Sequence, residues 1–206
     1  MIERPENTEH EEHDTRGIMQ NLTSFTIVSG AIFAVYAIGM AIVPGAVLSR
    51  TPPTPGSIAL SSQAQRGRDV YVGEGCTYCH TQQVRPLAQD RVWGRPSVPG
   101  DFAYATPELL GTERTGPDLT NVGARQADLW NEIHLYQPRS LISQSIMPSY
   151  KWLFVTKPKA ERGDVVVPVP QAFAPAGTVV IATPDLLALV AYLHQLKQAP
   201  LAGASK

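Results

Sequence analysis

The chain has 206 residues, a formal net charge of −1, two cysteines and charged side chains at 17% of positions. Near-neutrality argues against a nucleic-acid binder, which carries a strong basic excess. Two cysteines exclude a disulfide-dense scaffold and a four-cysteine metal or cluster site.

The charges are unevenly placed. Residues 1–16 hold six acids (Glu3, Glu6, Glu9, Glu11, Glu12 and Asp14) against Arg4 and Arg16, and the next 33 residues, up to Arg50, carry no charge. Within that gap Phe25 to Val43 reads FTIVSGAIFAVYAIGMAIV. A helix of about 20 such residues spans the ~30 Å hydrocarbon core of a bilayer. A cleaved signal peptide would have a basic start and a shorter apolar stretch, and a buried core helix would be shorter with a polar face. The expected organisation is an N-terminal segment over 1–22, a single transmembrane anchor over 23–48 and a linker over 49–60. In the linker, Pro52, Pro53 and Pro55 favour extended, semi-rigid backbone. A globular domain over 61–198 and a tail over 199–206 complete the chain. Residues 61–206 are balanced in charge, with 14 basic and 12 acidic side chains.

A helix is expected after Ser61 or Ser62, either of which can cap it, with Gly75 ending it in a left-handed conformation. There follows Gly75-Cys76-Thr77-Tyr78-Cys79-His80. C-x-x-C-H is the attachment pattern of haem c: two thiols at that spacing add to the two vinyl groups, and the adjacent histidine reaches the iron. A zinc site would have to recruit His134 and His194 as further ligands, a redox dithiol would sit in a βαβ context, and a plain pair of surface cysteines would do neither. A covalent haem c with His80 as iron ligand is the preferred reading. For the opposite ligand, Met147 is the one methionine in the globular domain, in Ser145-Ile146-Met147-Pro148. His134, in an expected helix over 128–136, and His194 are the rivals. Val165-Val166-Val167 and Thr178-Val179-Val180-Ile181 suggest a small β-hairpin around a proline-rich loop. A final helix starts at Thr183-Pro184-Asp185, where Leu186, Leu189, Val190, Leu193 and Leu196 form an apolar stripe.

Two helices bracketing such a motif resemble the class I cytochrome c fold. In that family a glycine and an aromatic on the first helix let the last helix cross closely, and Gly67, Tyr71 and Tyr192 match those positions. The resemblance also implies that the carbonyl of Pro117, in Gly116-Pro117-Asp118-Leu119, orients the ligating histidine. A wider set of segments resembles the membrane-anchored mono-haem cytochrome c subunit, subunit II, of cbb3-type haem–copper oxidases. These are Glu74 to Gln82 with Val84-Arg85-Pro86, then Arg114 to Leu119 with Val122-Gly123. Asp128, Trp130, His134-Leu135 and Pro138-Arg139 follow, leading into Ser145 to Tyr150 and Trp152-Leu153. Lys151 and residues 154–182 depart from the pattern.

The expected fold is therefore mainly α: one transmembrane helix, then a class I cytochrome c domain with loop insertions. The resemblance implies an electron-transfer subunit with one His/Met-ligated haem c. The chain itself carries out no catalysis, and its partners are an oxygen-reducing catalytic subunit, a further cytochrome c subunit and membrane lipid. It implies a bacterial inner-membrane location, with the haem domain periplasmic and the N-terminus cytoplasmic. Arg85, Arg114 and Arg125 are candidates to pair with the haem carboxylates. A cytochrome subunit of another membrane enzyme, such as nitric oxide reductase, and a free-standing anchored cytochrome c shuttle are the alternatives.

Overall fold

The computed structural model describes residues 11–201 apart from Thr112, with side chains from Gln20 onward. The acidic residues Glu3, Glu6 and Glu9 and the tail beyond Leu201 lie outside the described residues. The chain divides into two compact units, residues 1–51 and residues 52–206.

The first unit is helical from Glu11 to Leu48: α1 (Glu11–Ala37), a π-helical turn (Ile38–Ile42) and α2 (Val43–Leu48). Gln20–Leu48 is long and apolar enough to cross a membrane, and none of its most apolar window is buried within the protein. Such exposure of Ile, Val and Phe side chains is unfavourable in water and favourable in lipid. The helix continues through Pro44 to Leu48. Pro44 has no N–H to give to the carbonyl of Met40 and its ring crowds that carbonyl. The wider π turn just before it accommodates the break without ending the helix.

The second unit holds α3 (Ser62–Gly73), α4 (Val122–Arg125), α5 (Asp128–Tyr136), α6 (Pro184–Gln195) and, among the described residues, three short strands. The Ser61 side chain accepts from the Ala64 N–H at 3.2 Å and Gly75 takes φ +74°, so α3 starts and stops where its punctuation indicates. Thr183 caps α6 by accepting from the Leu186 N–H at 3.2 Å, and its hydroxyl donates to the Leu153 carbonyl at 2.7 Å.

α3 and α6 cross at Gly67. A Cβ there would collide with the carbonyl of Ala188, so the backbones approach as closely as they do because position 67 has no side chain. Beside the crossing, the buried rings of Tyr71 and Tyr192 meet edge to face, with centroids 5.4 Å apart. The Tyr192 hydroxyl donates to Gln82 at 2.9 Å. A second close approach lies at Gly123 on α4, where a Cβ would strike the His194 carbonyl.

The expected hairpin is present and larger than anticipated. β2 (Val166–Val167) and β3 (Val179–Ala182) pair antiparallel, with Val166 opposite Ile181. β1 (Phe154–Lys157) pairs with the other edge of β3, Phe154 opposite Ala182, giving the order β1-β3-β2. The central strand is the buried one, as expected of a strand flanked on both edges. β1 was not anticipated: Phe-Val-Thr-Lys is too short to display an alternation by itself.

The proline-rich segment is packed into the second unit rather than standing free of it. Thr54 is buried, its N–H donates to the Gly100 carbonyl at 3.0 Å and its hydroxyl donates to Asp101 at 2.9 Å. Arg95 grips Asp101 with two N–H groups, at 2.8 and 2.6 Å, and also donates to the carbonyl of Ala199. Residues on either side of the globular domain as drawn from sequence thus belong to its packing.

Candidate functional site

Directly after the left-handed Gly75, Cys76–Tyr78 form one 3₁₀ turn, closed by N–H groups of Cys79 and His80 donating to the Cys76 carbonyl at 3.3 and 3.0 Å. One turn therefore presents two sulfurs and an imidazole together. Cys76, Cys79 and His80 line the same cavity of about 510 Å³. Cys76 is buried and Cys79 exposed. Burial, helped by the neighbouring Glu74 carboxylate, pushes the Cys76 thiol up to about 12.

His80 Nδ1 lies 2.7 Å from the carbonyl oxygen of Pro117. A carbonyl only accepts, so the proton sits on Nδ1 and Nε2 keeps its lone pair, the form in which an imidazole binds a metal. Burial lowers the affinity of His80 for a second proton, with the Pro117 carbonyl acting in the opposite sense. Gly116 sits flat against the ring, where a Cβ would overlap the imidazole. The Gly-Pro pair thus serves two ends: glycine makes room for the ring and proline supplies its acceptor.

Next to Pro117 the carboxylate of Asp118 is fully buried. It accepts from the Thr81 hydroxyl at 2.7 Å and from the N–H groups of Gln83 and Thr120 at 3.0 and 2.9 Å. Arg114 donates to Thr81 Oγ1 at 2.8 Å and to the Gln83 carbonyl at 2.6 Å, and is ion-paired with Asp90. Arg85 grips Asp90 through Nε and a terminal N–H at 2.9 and 3.0 Å. Those contacts hold the Asp90 carboxyl well below the usual carboxylate range. The network ties the segment after His80 to the segment around Pro117, which fixes the imidazole's orientation.

Met147 is partly buried against the core and lies in the cavity wall with Pro148. Its N–H donates to the Ser145 hydroxyl at 3.2 Å. The cavity thus brings together Cys76, Cys79, His80, Pro117 and Met147, distant in sequence. It does not bring in Arg85 and Arg114, whose guanidinium groups are engaged with Asp90 behind the wall. Arg125 does line the cavity, its guanidinium 4.8 Å from the centre of the Trp93 ring and donating to the Asp118 carbonyl at 2.6 Å. Among the described residues no three His, Cys, Asp or Glu side chains cluster as a metal site would require. His194 pairs with Asp128 at 2.8 Å. His134 stacks on Trp130, centroids 4.4 Å apart, and burial keeps it neutral down to about 4, with the charge of His80 acting the same way.

The wall also contains residues that the sequence did not single out: Trp93, Asn131 and Ile142. They come from three separate stretches, and only Asn131 lies on a helix, α5, where spacing could have pointed to it.

The donor set and the wall fit a haem. The cavity combines apolar side chains from α5 and α6, two thiols one turn apart, an imidazole nitrogen with a free lone pair and a thioether. No curated protein matches the chain. A family model described as "Cytochrome C oxidase, mono-heme subunit/FixO" matches residues 16–165. That match takes in the apolar helix, the Cys76–His80 turn, the Gly116–Asp118 segment and Met147, over well more than half of the chain. The chain belongs to the family of mono-haem cytochrome c oxidase subunits.

Proposed function

We propose that this chain is the membrane-anchored electron-transfer subunit of a cbb3-type oxidase, relaying electrons through one haem c to the oxygen-reducing haem–copper subunit. The observation that carries the reading is the single cavity shared by Cys76, Cys79, His80 and Met147. Cys76 and Cys79 would hold the haem by thioether bonds, and His80 and Met147 would ligate its iron. Pro117 keeps the proton of His80 on Nδ1, which leaves the Nε2 lone pair free to bind a metal. Bound there, a haem supplies a one-electron carrier, and a thioether opposite histidine raises its reduction potential.

The close α3–α6 crossing at Gly67 and the Tyr71–Tyr192 contact support a class I cytochrome c domain over residues 61–198, with the three-stranded sheet as an insertion. Residues 23–48 are the anchor, 49–60 lead from it into the haem domain, and 199–206 form its tail. Residues 1–22 lie in the cytoplasm and the haem domain in the periplasm of a bacterial inner membrane, where covalent haem attachment takes place in this family. A further cytochrome c subunit completes the relay on the donor side.

Replacing Met147 tests the relay. In the complex, Met147→Leu is expected to keep the covalent haem and lose the long-wavelength sulfur-to-iron charge-transfer band. The potential falls by on the order of 100 mV, a fraction of the ~0.8 V over which axial ligands set haem potentials. Oxygen reduction driven through this subunit slows with it. Absence of that band from the unaltered protein, with a potential that Met147→Leu leaves unchanged, would assign the ligand to another residue, His134 first.

A further inference from the structure

We infer that Asn131 and His134, one turn apart on α5, are the hydrogen-bond donors that receive the carboxylates of the haem, with Arg125 supplying the charge beside them. This rests on the haem site proposed above. Asn131 is 4% exposed and its Nδ2 is buried with no partner among the described residues, and the same holds for Nδ1 of His134. A buried polar atom left unpaired is unfavourable, so two within one turn of one helix call for a partner that comes from outside the chain. Both residues belong to the wall of the cavity.

The arrangement of polar groups around that wall selects the acceptor. Haem is apolar over most of its outline and carries both carboxylates on one edge. In the wall, Arg125, Gln126, Asn131 and His134 come from one continuous stretch over α4 and α5. The Tyr71 hydroxyl, by contrast, lies on the side of Cys76, with the thiols. A rival acceptor in the site is the sulfur of Met147, but a thioether is a weak acceptor. Two donors with an arginine nearby match a pair of carboxylates better. The stacking of His134 on Trp130 holds its ring in place. Arg85 and Arg114 are thereby released from this role and serve Asp90 instead.

The test uses the holoprotein with ¹³C in the haem carboxylates, introduced from labelled 5-aminolaevulinate, and redox-difference infrared spectra. Asn131→Leu and His134→Phe are each expected to displace the labelled carboxylate bands while the haem stays covalently attached and the sulfur-to-iron band persists. Arg85→Gln leaves the carboxylate bands where they are. Should Asn131→Leu not accumulate, Asn131→Asp, equal in size, sets a carboxylate against carboxylates and displaces the bands further. Labelled bands identical to those of the unaltered protein in the Asn131 and His134 variants overturn the inference. So does loss of the sulfur-to-iron band in the Asn131 variant with carboxylate bands unmoved, which gives the amide to Met147. Absence of covalent haem from the unaltered chain refutes the site itself, a different result.

Discussion

A chain carrying Cys76→Ser and Cys79→Ser together is expected to lose all covalently attached haem, read as loss of haem staining on a denaturing gel. Thioether formation needs a sulfur nucleophile, and a serine hydroxyl does not add to a vinyl group under the same conditions. Neither substitution disturbs the backbone of the turn, which is held by N–H groups of Cys79 and His80 on the Cys76 carbonyl and by the left-handed Gly75. The single variants separate the two sulfurs. Cys76 is part of the buried core and Cys79 is exposed, so Cys76→Ser places a hydroxyl where a thiol packed and lowers stability as well as attachment. Cys79→Ser affects attachment alone. Haem staining retained by the double variant would show that the C-x-x-C-H segment is not the attachment site.

Gly67→Ala is expected to destabilise the globular unit by about 1–2 kcal/mol, even though alanine is the better helix former. The intrinsic preference favours alanine by about 1 kcal/mol. Against it stands a Cβ that would meet the carbonyl of Ala188 and come within 2.9 Å of the Leu189 nitrogen, both backbone atoms of the facing helix. Backbone cannot rotate out of the way, so the helices must separate. That opens the contact between Tyr71 and Tyr192 and uncovers Leu186 and Leu189, which are fully buried. Overpacking of this kind costs about 1–3 kcal/mol and occasionally more, which exceeds the propensity gain. At about 2–4 °C per kcal/mol for a chain of this size, the melting temperature falls by roughly 2–8 °C. Gly73→Ala is the control: nothing lies within 4 Å of its Cβ, so the same substitution on the same helix is neutral or slightly stabilising. Equal melting temperatures for the two variants would contradict a close crossing at Gly67.

Features set by local chemistry were legible in the sequence. Ser61 and Thr183 cap helices because a hydroxyl can accept from an N–H three residues on, and Gly75 ends α3 because it tolerates positive φ; these depend on a few adjacent residues. The apolar run before Arg50 is readable for the same reason, although the π turn ahead of Pro44 follows from how the helix absorbs a proline. The cysteines, His80 and Met147 could be nominated because their chemistry is scarce in this chain. Side chains whose role depends on distant partners were not readable. Arg85 and Arg114 looked like free cations next to a haem motif, yet each is occupied by Asp90, a residue that no local pattern marks. Phe154–Lys157 became a strand only because β3 offers a second edge. Asn131 carries no local signal, and its lack of a partner among the described residues is visible only once α5 is packed.

Isolation of the native membrane complex in mild detergent, with haem staining and identification of every co-purifying chain, tests the central claim most directly. The prediction is that this chain stains for a single covalent haem and co-purifies with an oxygen-reducing haem–copper subunit. A haem-bearing chain recovered alone as a monomer, or bound to a partner without oxygen-reducing haem–copper centres, would contradict it.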